Sequence, residues 1–229
     1  MSPNSIHSNK FWSAAGQFFG RVFILLGLPL LAWGLGSTAG FFSNPVRTSF
    51  AVVVIVQALV YAWLDYRAPP HSVGEHAHEL ASLHAILFEM IFVVSAYSDS
   101  RNSATWNENM PLHWLGLGIY VIGAILATWA TMTWVNHLRR AAGNACEDPV
   151  LLVEGPYRFI RYPPLLALIF YCLGVSILFR SWFGLALTIP LIAAIGYRSR
   201  TLDSIYADRY SRAWPLRSYR SKRFIPFVY

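Results

Sequence analysis

The chain has 229 residues and a net charge of +7, yet 55% of it is hydrophobic, only 13% is charged and nine residues are tryptophan. That balance excludes an ordinary soluble domain, and the absence of any nucleic-acid motif beside the basic residues excludes a nucleic-acid partner. The length suits one folding unit. Several apolar runs approach the roughly 20 residues that cross a bilayer as a helix, which places the chain among multi-pass membrane proteins.

The first run, Phe23 to Phe42, carries Pro29 with Gly27, Gly34, Gly36 and Gly40, a composition that predicts a kinked helix with close helix contacts. Residues 1 to 20 lack the compact apolar stretch and small-residue cleavage site of a secretory signal, so this helix is expected to stay as an anchor. The second run is Phe50 to Leu64. After it, "DYRAPPHSVGEHAHE", from Asp65 to Glu79, holds His71, His76 and His78. With Glu79 and His84 these offer some of the ligands of a metal site, but no second histidine cluster accompanies them. A solvated loop rich in histidine is the reading taken, with no metal.

In the third run, Leu83 to Tyr97, Glu89 interrupts "HAILFEMIFVV". An ionised carboxylate in hydrocarbon is costly unless paired or wetted, so Glu89 is expected to face the bundle interior. Its role there is a headgroup or proton contact, a hydrogen bond to a neighbouring helix, or that of a neutral, protonated acid. The fourth run, Leu112 to Val135, has Gly116 and Gly123, with Ala127, Ala130 and Thr131 at helical spacing from the second glycine. That pattern predicts close approach by another helix or a ligand. Leu165 to Phe179 and Trp182 to Tyr197 complete the set.

Six segments are counted, and five would be accepted. Runs two, three, five and six are short for a full span, which implies tilt, extension into flanking residues or a helical hairpin that turns inside the membrane. The fold class expected is an all-α integral membrane bundle of five to six helices, with a re-entering hairpin and a cytoplasmic C-terminal helix. Residues 1–111 would form the N-terminal helices with the histidine loop, and residues 112–229 the functional core. Cys146 and Cys172 have no metal or disulfide spacing. With the N-terminus inside, only Arg47, Arg101 and Arg180 fall outside, and the other basic residues fall inside as the positive-inside rule requires. Both termini are therefore expected in the cytoplasm, with the basic C-terminus on anionic headgroups.

Between runs four and five lies "EGPYRFIRYPP", Glu154 to Pro164. Gly155 and Pro156 make a turn, the spacing of Arg158 and Arg161 puts both guanidiniums on one side of a helical turn if one forms, and Pro163 and Pro164 fix the start of the next helix. This corner resembles the isoprenylcysteine carboxyl methyltransferase and phospholipid methyltransferase superfamily, whose members carry "GPYR-x-x-R-H-P" or "GPYR-x-x-R-N-P" before a membrane hairpin. The closing segment "YADRYSRAWPLRSYRSKRFIPFVY" is similar to the family's final pattern: Tyr206 and Ala207 stand for Phe-Gly, and Tyr210, Arg223, Ile225 and Pro226 are kept. The resemblance covers roughly residues 112–229.

It implies a cytoplasm-facing pocket for S-adenosyl-L-methionine and a membrane lipid or lipid-like acceptor. The cofactor-binding residues implied are Gly155, Pro156, Tyr157, Arg158, Arg161, Tyr162, Pro163, Arg198, Asp203, Tyr206 and Tyr210, with Arg161 and Tyr162 catalytic. Aromatic faces suit a sulfonium and guanidiniums suit a carboxylate. The pattern is broken where Tyr162 replaces histidine or asparagine, and where Arg198 and Ser199 replace two adjacent glutamates. Asp203, one turn after Ser199, and Glu154 are the carboxylates placed to substitute. Two other readings stand beside methyl transfer: a non-catalytic lipid-binding or assembly subunit with a protein partner, and an NADPH-dependent membrane reductase.

Overall fold

In the computed structural model, residues 3–68, 82–141 and 152–209 are described, and among them the chain is helical with no β-strand. The elements are α1 (Pro3–Val22), a π turn (Phe23–Gly27), α2 (Leu28–Trp33), a short 3-10 turn (Leu35–Ser37), α3 (Thr38–Phe42), α4 (Pro45–Arg67), α5 (Ser82–Arg101), α6 (Met110–Ala141), a 3-10 turn (Gly155–Arg158), α7 (Pro163–Leu178) and α8 (Trp182–Arg209). Among the described residues, four stretches are long and apolar enough to cross a membrane: Phe11–Trp33, Pro45–Arg67, Met110–Arg140 and Trp182–Asp208. The protein is thus consistent with an integral membrane protein. The 16 residues of α7 span about 24 Å, short of a bilayer core.

Local chemistry sets the boundaries. Asn44 caps α4 by accepting from the Val46 amide at 2.9 Å, with Pro45 in the first turn. Ala68, which precedes Pro69, is extended and ends the helix. Ser181 caps α8 by accepting from Gly184 N at 2.9 Å.

The first apolar run does not form one helix. Its helix begins well before Phe23, and it ends at Gly34, whose φ of 110° is one that a side chain disfavours. Pro29 has no amide hydrogen and its ring crowds the carbonyl of Leu25; the wider turn ahead of it, closed by Leu28 N donating to Phe23 O, accommodates both effects. Of the glycines read as contact points, Gly34, Gly36 and Gly40 are not, since an added Cβ would meet nothing within 4 Å, and one at Gly27 would meet the Phe23 ring of the same segment at 2.9 Å. The separate C-terminal helix expected after Tyr197 is, as far as Arg209, the continuation of α8. The segment from Tyr210 on lies outside the described residues, as do His71, His76, His78, Glu79 and Cys146.

Helix α6 packs most extensively on α7. A Cβ on Gly174 would lie 2.8 Å from Gly116 O and from Tyr120 Cα, and one on Gly116 would lie 2.8 Å from Gly174 O, so the two backbones touch. Gly123 meets Phe170 Cβ at 2.9 Å and Ala167 O at 3.1 Å by the same measure. The close approach expected at Gly116 and Gly123 is therefore made by α7. Around it Phe50, Phe92, Tyr120, Tyr171 and Phe179 form the main buried cluster.

At the end of the bundle holding the starts of α4, α6 and α8, the Asp99 carboxylate of α5 sits between two arginines. Arg47 Nη2 is 2.6 Å from Oδ2, and Arg180 Nη2 is 2.6 Å from Oδ1. Arg180 also donates to Asn102 Oδ1 at 3.0 Å and to Trp106 O at 3.2 Å, and Arg47 stacks on Trp33 at 4.4 Å. These contacts hold Arg180 at φ 52° in the α7–α8 turn.

Gly174→Ala should cost about 1–3 kcal/mol by forcing α6 and α7 apart, whereas Gly118→Ala, with open space at its Cβ, should leave stability unchanged or raise it; thermal unfolding of the purified protein compares them. Asp99→Asn leaves two buried guanidiniums without a carboxylate and should cost about 3–5 kcal/mol, measured in the same assay.

Candidate functional site

The opposite end gathers the C-termini of α4, α6 and α8 with the starts of α5 and α7, and the "GPYR" corner belongs to it. Gly155 takes φ 55°, and an added Cβ there would lie 2.7 Å from Thr133 Oγ1 of α6. Only glycine satisfies both conditions, so the turn is seated directly on α6. Pro156 is buried and Tyr157 half-buried.

The 3-10 turn stops at Arg158, and this separates the two arginines. Arg158 is exposed, with its guanidinium 5.8 Å from the Phe159 ring centroid, whereas Arg161 is buried. The shared helical face expected for them does not form, because the 3-10 turn ends at Arg158 and Tyr162 is no longer helical. Pro163, buried, begins α7.

Arg161 and Tyr162 both turn to Asp203 of α8. Arg161 Nη1 donates to the two carboxylate oxygens at 2.9 Å each, and Tyr162 Oη donates to Oδ1 at 2.8 Å. This joins residues 42 positions apart and ties the corner to α8. Burial, then the hydrogen bond to Asp203, raise the Tyr162 pKa. The phenol therefore keeps its proton and serves as a donor, not as a base. Leu87, Ile91, Leu165, Leu202 and Tyr206 pack around it.

Arg198, at the broken acidic pair, donates to the His84 imidazole of α5, and Ser199 donates to Gly196 O of its own helix at 2.8 Å. Glu154 is exposed and bonded to Arg140, which lowers its pKa. It is therefore held outside the corner, and Asp203 is the carboxylate brought inside. Tyr210 lies outside the described residues. Among those described, no three His, Cys, Asp or Glu side chains gather as metal ligands would.

Of a second polar region, only Glu89 stood out in the sequence. Gln57 of α4 donates to Tyr171 Oη of α7 and accepts from Tyr120 Oη at 3.3 Å. Beside it a cavity of about 240 Å³ is lined by Arg21, Gln57, Tyr61, Phe88, Glu89 and Tyr171 among others. Arg21 bonds Asp65 at 3.0 Å and stacks on Tyr61 at 4.4 Å. Gln57 is the lone amide of an apolar run, which was the available signal; Arg21 precedes the first run and gave none.

Two buried nitrogens flank the corner without a hydrogen-bond partner, His137 on α6 and Arg198 Nε on α8. Donors of this kind suit a carboxylate, and the Tyr157 and Tyr206 rings suit a sulfonium or an adenine, so the residue types present fit S-adenosylmethionine. No family model matches the chain, and no curated protein and no solved structure matches it. The resemblance to the methyltransferase superfamily rests on the motif residues themselves.

Asp203→Ala should destabilise the protein by about 3–5 kcal/mol, because it leaves Arg161 buried beside a vacated partner. Tyr162→Phe, which removes one hydrogen bond, should cost about 1 kcal/mol. Chemical denaturation of the two variants checks the ratio.

Proposed function

We propose that the protein is a membrane-embedded methyltransferase that takes S-adenosylmethionine at the corner and acts on a hydrophobic or lipid-like acceptor. The observation that carries this reading is the Arg161–Asp203–Tyr162 junction, which ties the corner that resembles the superfamily to α8 three residues before Tyr206, where the second resembling segment begins. In the same reading α5 and α7 complete a six-helix bundle, α7 and α8 form the hairpin, and the corner and both termini face the cytoplasm, following the excess of lysine and arginine on that side.

When bound, the cofactor supplies an activated methyl group on sulfur. The chain's part is binding and alignment. Tyr157 and Tyr206 provide aromatic faces for the sulfonium and adenine, and His137 and Arg198 provide donors for the carboxylate end. Arg161 and Tyr162 hold Asp203 rigid, which makes them positioning residues rather than proton carriers. An in-line displacement on a carboxylate or thiolate acceptor needs no general base, so a protonated Tyr162 is no obstacle.

A second reading, a non-catalytic lipid-binding or assembly subunit, is favoured by one observation: Arg161 and Arg198 are both engaged by protein side chains, where a cofactor site would offer them to a ligand.

S-adenosylmethionine at about a hundredfold over its Kd should stabilise the purified protein by about 2.7 kcal/mol, and Tyr157→Ala should remove most of that gain. No stabilisation by the cofactor or its demethylated product, together with co-purification of a stoichiometric protein partner, would select the second reading. Stabilisation by NADPH alone would select a reductase.

A further inference from the structure

The cavity beside Gln57 has a chemistry that the corner does not explain. Glu89, half-buried on α5, lines it, and no described residue hydrogen-bonds or ion-pairs with its carboxylate. Every other described carboxylate in the helix bundle with a buried or half-buried side chain is paired with an arginine: Asp65 with Arg21, Asp99 with Arg47 and Arg180, Asp203 with Arg161. Within an apolar run a half-buried carboxylate with no protein partner is costly unless water, a proton or a cation meets it, and a cation in the cavity would do so.

Two further observations point to a ligand. The π turn lies at this place: Ile24 and Leu25 of that turn, with Arg21 just before it, form one wall. Single π turns inside α-helices re-aim side chains and concentrate at functional sites. The lining is also graded along the bundle. The Arg21–Asp65 pair marks one end of α4, and Gln57 lies eight residues, about 12 Å, deeper. Between them the walls are aliphatic and aromatic, from Ala58, Tyr61, Phe88 and Tyr171. A polar rim, a carboxylate on the wall, aromatic faces and an apolar body describe an amphiphile whose head is a cation.

We infer that this cavity binds the ammonium head of a single-chain or lipid amphiphile, with Glu89 as its counter-ion and the Tyr61, Phe88 and Tyr171 rings around it. Helix α8 contributes nothing to the lining, and although Phe88 also packs against the cluster around Tyr162, Asp203 and its partners lie outside the lining, so the site holds whether or not that corner transfers methyl groups.

The test uses the full-length protein in maltoside micelles near neutral pH, with dodecylamine, dodecanol and dodecanoate as probes of equal chain length. Dodecylamine should bind saturably and raise the melting temperature, the other two should not, and Glu89→Gln should weaken the amine by at least about tenfold. Equal stabilisation by the alcohol, or amine binding unchanged in Glu89→Gln, overturns the proposal. A photoreactive alkylamine gives a readout on the unaltered protein should the variant fail to fold. Labelling centred on the Ile24–Leu25 and Phe88 peptides and displaced by dodecylamine supports the site, whereas labelling spread over the lipid-facing helices, as with the matching alcohol, refutes it.

Discussion

The contact between the backbones of α6 and α7 sets the spacing from which the rest of the bundle is built. Within a bilayer, helices gain little from the hydrophobic effect against one another, and close packing and polar links must hold them instead. Gly116 and Gly174 allow that closeness because neither carries a Cβ. Once the helices touch, the Tyr120 and Tyr171 rings lie 4.9 Å apart and both reach Gln57, and His113 donates to Leu178 O at 2.6 Å. The same closeness lets Gly155 seat the corner on Thr133.

Charge fixes the two ends. A buried carboxylate or guanidinium is tolerated only with a partner, and here the partners come from different helices. Asp99 holds the start of α4 and the α7–α8 turn to the end of α5, while Asp203 holds the corner to α8. Such pairs add less to stability than their number suggests, since desolvation offsets much of the attraction. Their effect is on register: removing one member leaves a buried charge, so alternative helix positions are penalised more than the observed one is favoured.

The apolar runs and the close-packed face around Gly116 and Gly123 were legible in the sequence. They rest on local composition or on a one-turn spacing. The extent of the first helix was not, because the amphipathic stretch before Phe23 lacks a continuous apolar run, and Gly34 ends a helix through backbone geometry that hydropathy does not register. Nor was the fate of Arg161, which looked available for an anion and instead serves Asp203.

What the sequence by itself determined is the helical, membrane-compatible class, the small residues that permit tight packing and the charges reserved for helix ends. Those properties depend on residues near one another in the chain. Only the tertiary structure decided which charges meet: that Asp99 would be shared by two arginines, that Arg161 and Tyr162 would close on Asp203, and that Glu89 would line a cavity with no partner among the described residues. Pairing across helices depends on rotation and spacing set by the whole bundle, and no local pattern carries that information.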